Sequence, residues 1–112
     1  MKLSEITPLL EQTFGEGKVR YRAFPEDAAA LCPFCIWQIE ETRNFFAGNI
    51  VAAEISGVRI DIVATLVTPA LENALESALE AINQPWTKSA PEYDPTEHVY
   101  ITSYTYEVMN DG

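Results

Sequence analysis

The chain is short of positive charge: seven Lys and Arg stand against 17 Asp and Glu, for a net charge of −10. That balance argues against tight nucleic-acid binding, because phosphate contacts need Lys and Arg. It argues equally against docking on an anionic membrane surface. No apolar run approaches the roughly 18 residues of a membrane span. The opening Met1-Lys2-Leu3-Ser4-Glu5 contains no apolar stretch of the secretory kind. A protein made and kept in the cytoplasm, at least until it joins something larger, is the expectation. GxGxxG, Walker and GxSxG motifs are missing, so nucleotide binding and serine-hydrolase chemistry have no support and no cofactor is implied.

Apolar residues make up 47% of the 112 positions, enough for a real core and the right length for one domain spanning 1–112. Ser4 reads as a helix cap, and Ile6, Leu9, Leu10 and Phe14 share one helical face, which predicts a helix over about residues 4–14 that Gly15 stops. Val19–Phe24 reads as a short strand and Phe34–Glu40 as a second. Polar residues flanking Phe45-Phe46 leave 41–46 hard to place, and Gly48-Asn49 is a turn. A strand over 50–55, a tight turn at Ser56-Gly57 and a long alternating strand over 58–67 follow. Thr68 and Pro69 are a cap and first position of a second helix, with Leu71, Ala74, Leu75, Ala78, Leu79 and Ile82 as its buried stripe. Asn83-Gln84-Pro85 ends it. A possible short strand at Trp86 precedes a last strand over 98–108, with Tyr100, Thr102, Tyr104, Tyr106 and Val108 on one face. The expected fold is α+β: a mostly antiparallel sheet of about five strands with two helices packed on one face.

Few groups suggest chemistry. Cys32-Pro33-Phe34-Cys35 is a CxxC, which would suit a small thiol-redox protein if a helix N-terminus lowered one thiol's pKa. Here it leads into a strand, and small apolar fillers are the plainer reading. With His98 as the only histidine, it makes no complete zinc set either. His98 itself reads as a half-exposed residue at a strand start, and metal and catalytic sites are both expected to be absent. Arg43, Asn44, Phe45, Phe46 and Asn49 are the best interaction candidates, because an aromatic beside Arg is common hot-spot chemistry. Such a patch would equally serve a protein-binding adaptor. Glu72, Glu76 and Glu80 recur at i,i+4 spacing on the second helix, forming either a solvated face or, in a ring-shaped assembly, an acidic channel wall past which DNA slides without sticking.

The order of motifs resembles that of small tail-terminator and tail-completion (head–tail joining) proteins of long-tailed bacteriophages and prophages. The resemblance runs from Tyr21-Arg22-Ala23-Phe24 through Pro33-Phe34-Cys35-Ile36-Trp37 and Asn44-Phe45-Phe46-Ala47. It continues through Val58-Arg59-Ile60-Asp61-Ile62 and Thr68-Pro69-Ala70-Leu71-Glu72 to Trp86 and Tyr104-Thr105-Tyr106-Glu107-Val108. Cys32, Ala64 and the apolar Thr65-Leu66-Val67 depart from the family pattern. The resemblance implies a non-enzymatic subunit of a homohexameric ring. Its partners would be further copies of itself, the tail tube protein and the head connector, with DNA only passing through. It would end up at the head-proximal end of the virion tail.

Overall fold

The computed structural model describes residues 3–22, 33–48, 50–67 and 69–109. A 3-10 turn at Leu3–Glu5 leads into helix α1 (Ile6–Phe14). Ser4 falls inside that turn and Glu5 takes the cap position without a side-chain cap bond, so the expected Ser4 cap is not formed. Pro8 sits in the first helical turn, where its missing N–H costs nothing. Ile6 and Leu10, one turn apart, are fully buried, with Leu9 and Phe14 partly buried beside them. Gly15, at φ 104°, ends the helix, its N–H donating to the Glu11 carbonyl at 2.8 Å.

Strand β1 (Val19–Tyr21) is shorter than expected because Arg22 turns the backbone to φ 70°. It pairs in parallel with β2 (Phe34–Ala47), Val19 opposite Cys35 and Tyr21 opposite Trp37. β2 continues through the segment that was hard to place, and β3 (Ile50–Ala64) returns antiparallel to it as one strand. The turn expected at Ser56-Gly57 does not exist. Ser56 is buried in mid-strand, its hydroxyl 3.4 Å from that of Thr42. Gly57 lies opposite Glu41, whose side-chain stem comes within 3.2 Å of where a Cβ would stand. β3 stops at Ala64, leaving Leu66 and Val67 exposed in a bend.

Helix α2 (Pro69–Ala81) begins on Pro69 as expected, while the Thr68 cap lies outside the described residues. Asn83, at φ 55°, turns the chain out of it. β4 (Thr87–Lys88), β5 (Glu92–Asp94) and β6 (Val99–Met109) complete the sheet. Its order is β1-β2-β3-β6-β4, with β5 also pairing β6. All pairings but β1–β2 are antiparallel. The class is therefore α+β as expected, with six strands instead of about five.

The core is one cluster. Ile6, Leu10, Leu75 and Leu79 of the helices meet Trp37, Val58, Ile60, Ile62, Tyr104 and Val108 of the sheet. Each fully buried aliphatic side chain contributes about 1.5–3 kcal/mol relative to exposure. Trp37 Nε1 donates to Thr7 Oγ1 at 2.9 Å, fixing α1 over β2. Both helices thus lie on one face, and the alternation expected for the last strand holds from Thr102 to Val108. On the other face Arg59 reaches Glu40 at 3.0 Å and Asp61 at 3.3 Å, and Ser103 Oγ donates to Asp61 at 2.6 Å. No helix among the described residues is long and apolar enough to cross a membrane.

Candidate assembly surfaces

The interaction candidates gather on a two-stranded arm. Among the described residues β6 follows β3 as far as Met109, opposite Ile55. Beyond that point β2 and β3 pair with each other alone among the described residues: Asn44 with Glu54, Phe45 with Ala53, Phe46 with Val51, Ala47 with Ile50. At about 3.3 Å per residue, these four pairs carry the arm about 13 Å past the sheet. Gly48, at φ 67°, makes the turn at its tip.

Arg43 anchors the base of this arm. Its guanidinium pairs with Glu107 across β3 and lies 3.6 Å from Glu41 on its own strand. Asn44 is exposed. Phe45 and Phe46 straddle a break in register. Their side chains, and the whole of Asn49, lie outside the described residues, as does Cys32 of the CxxC.

Beside the arm's base is a shallow depression of about 520 Å³. Glu40, Glu41, Gly57, Gln84, Thr105 and Glu107 are among the residues lining it. A β-bulge between Ile39 and Glu41 puts two adjacent acids within reach of outer-face arginines, Glu40 on Arg59 and Glu41 on Arg43.

The acidic stripe of α2 requires correction. Glu72 is 6% exposed and Glu76 is half-buried, and only Glu80 is exposed as expected. The cause is Lys88 on β4, whose ammonium sits 2.9 Å from Glu72 and 3.5 Å from Glu76. Tyr104 donates to Glu76 Oε2 at 3.0 Å, and the ammonium lies 5.7 Å over its ring. The hydrogen bond to Glu72 raises the Lys88 pKa above its ordinary value. Burial, followed by the carboxylate of Glu76, raises that of Tyr104. The helix therefore buries a face running through Glu72, Leu75 and Leu79. Ala74 and Ile82, expected in the buried stripe, are exposed. Nothing local in the sequence links Lys88 to residues 12 and 16 positions away. The usable signal is that Lys88 is the only Lys or Arg after Arg59, in a segment rich in carboxylates.

Burial also pushes the Tyr106 phenol pKa up, and its hydroxyl has no hydrogen-bond partner among the described residues. Two matched substitutions separate these tyrosines. Tyr104→Phe loses a bond to a charged acceptor and should cost about 1.5 kcal/mol. Tyr106→Phe should stay within about 0.5 kcal/mol of wild type or stabilise it. Urea unfolding at neutral pH reads both.

Cys35 is fully buried in β2, and burial, followed by the charge of Asp61, raises its thiol pKa. A redox nucleophile needs the opposite shift and some exposure. His98, at φ 56°, is exposed in the turn before β6 and not in the strand itself, with Nδ1 3.1 Å from the Tyr93 hydroxyl. No group of metal-ligating side chains is present among the described residues. Compared with known protein families and with curated proteins, the chain gives no match.

Proposed function

We propose that this chain is a structural subunit of a long-tailed bacteriophage or prophage tail, a tail-terminator or tail-completion protein. Copies would close into a ring, a hexamer by resemblance, that caps the tail tube and meets the head connector. The observation that carries this reading is the β2–β3 arm. It runs on past the last described β3–β6 pair, and a two-stranded ribbon is marginal in water without something to lie on. The order and spacing of the aromatic, proline and asparagine motifs support the same reading. The mechanism is steric: a heterologous contact whose rotation closes makes a ring and limits growth. Assembly would occur in the bacterial cytoplasm, and the finished ring would sit at the head-proximal end of the tail.

A protein-binding adaptor would use the same arm, and stoichiometry separates the two. Incubation with purified tail tubes, followed by electron microscopy and native mass spectrometry, should reveal closed rings one tube wide at a single tube end. Finding only unattached monomer, or one copy per partner chain, would count against the proposal.

A further inference from the structure

β6 is a strand whose outer edge needs covering. Val99–Met109 is built largely of Val, Ile, Thr and Tyr, with no Pro, no Gly and Glu107 as its only charge, so nothing in it discourages a further strand. One segment does the covering. Gln84 Nε2 donates to the Glu107 carbonyl at 3.2 Å. Thr87 and Lys88 pair with Thr105 and Tyr104. The Ser89 N–H donates to the Ser103 carbonyl at 2.9 Å, and the Ser89 hydroxyl accepts the Ser103 N–H at 3.1 Å. Glu92, Tyr93 and Asp94 then pair with Ile101, Tyr100 and Val99. This cover is lightly attached. Trp86 packs against the core, but none of residues 87–97 belongs to the core cluster, and all of them except Asp94 are exposed. Tyr93 lies against Tyr100, ring centroids 5.1 Å apart, yet stays 51% exposed. Among the described residues the segment's only ion pairs with the helices run through Lys88, to Glu72 and Glu76. At the far end His98 turns the chain in the left-handed region, at φ 56°, a conformation that costs a non-glycine residue free energy.

Segments with exposed backbone bonds and few buried contacts are the first parts of a fold to open. We propose that residues 87–97 form a strap, latched by Lys88, that lifts off β6 as a unit and leaves its edge open to the same edge of a second copy. Ser103 both donates to and accepts from Ser89, so the strand's alternation turns the N–H and C=O groups of Ile101, Ser103 and Thr105 toward the strap. Those of Thr102 and Tyr104 turn toward β3. Lifting the strap bares the first set alone. Two such edges related by a two-fold axis at Ser103 would run antiparallel, a sound ladder geometry. Glu107 then faces Val99 of the second copy, which keeps the two Glu107 carboxylates at opposite ends of the ladder. With the strap down, its short strands, Pro91 and Lys88 are features that protect a sheet edge from pairing. Isolated copies are thereby held apart until the latch opens.

Amide hydrogen exchange followed by NMR tests this on the wild-type chain. The amides of Ile101, Ser103 and Thr105 should exchange at least about tenfold faster than those of Thr102 and Tyr104. Low urea should hardly change the first set and should speed the second, because lifting the strap exposes far less surface than unfolding does. Equal rates and equal urea dependence in the two sets would overturn the strap. Lys88→Met removes the latch and should speed the strap-facing amides by at least about tenfold over wild type. Native mass spectrometry should then show dimers where the wild type is monomeric. Raising the concentration of the variant should slow the same three amides again, as a second β6 takes the place of the strap. Strap-facing amides as slow as in wild type would remove Lys88 as the latch. A variant that stays monomeric, or dimers in which those amides remain fast, would overturn the pairing through β6.

Discussion

Replacing residues 44–54 with a two-residue Asn-Gly turn should leave a folded domain that no longer engages tail tubes. Arg43 and Ile55 are directly opposed, so a type I′ turn can join them without changing the register below. Everything removed lies beyond the last described β3–β6 pair, Ile55 with Met109. Among the described residues, the core cluster contains none of those excised. Far-UV circular dichroism should keep its shape, and the melting temperature should move by no more than about 5 °C, the scale of a 1 kcal/mol change for a domain of this size. Binding to tubes should fall by at least about a hundredfold, because losing even one or two buried aromatic contacts costs 2 kcal/mol or more each. A shortened chain that caps tubes normally would disprove the role assigned to the arm. One that fails to fold would show that the arm belongs to the domain's own stability.

Lys88→Met should destabilise the domain by about 2 kcal/mol at pH 7. The substitution removes the cation and leaves Glu72, only 6% exposed, without its partner. Breaking a buried ion pair from one side costs about 3–5 kcal/mol. The lower figure applies because the Lys88 side chain keeps 35% of its surface in water, where screening weakens the pair. In the wild type the raised lysine pKa means the folded state holds the Lys88 proton more tightly than the unfolded chain. That contribution is present in full below the ordinary lysine pKa of about 10.4 and is lost only as the pH climbs beyond it. Thermal melts of both proteins from pH 7 to about pH 11.5 would measure this. A variant as stable as wild type at pH 7 would mean Glu72 does not depend on Lys88.

The class of the fold was readable from periodicity because the two helices and the last strand each keep one apolar face. β6 alternates cleanly from Thr102 to Val108, and Leu75 and Leu79 are one turn apart in α2. The middle of the chain resisted for a physical reason. The bulge at Glu40 puts β2 out of step with its own alternation, so the strand read as ending at Glu40 and 41–46 had no clear place, when both acids serve the outer face of one strand. Ser-Gly at 56–57 has the composition of a turn. Here Ser56 is buried and Gly57 makes room for a neighbour's stem, and both needs arise from the partner strands. The α2 acids misled because i,i+4 spacing records a shared face without recording what covers it. Lys88 and Tyr104 arrive from distant parts of the sequence. Arg43 was singled out for contact with another protein; its partner within the chain, Glu107, 64 positions away, left no signal in the sequence.

Parallel strand β1 is synthesised before the strand it lies on. Residues 19–21 leave the ribosome with no partner until 35–37 follow, and those are held in place by 60–62 on β3. The helix ahead of them stays undocked for the same interval, with Ile6 and Leu10 bare. A nascent chain stalled before residue 60 would therefore display its start to chaperones and proteases.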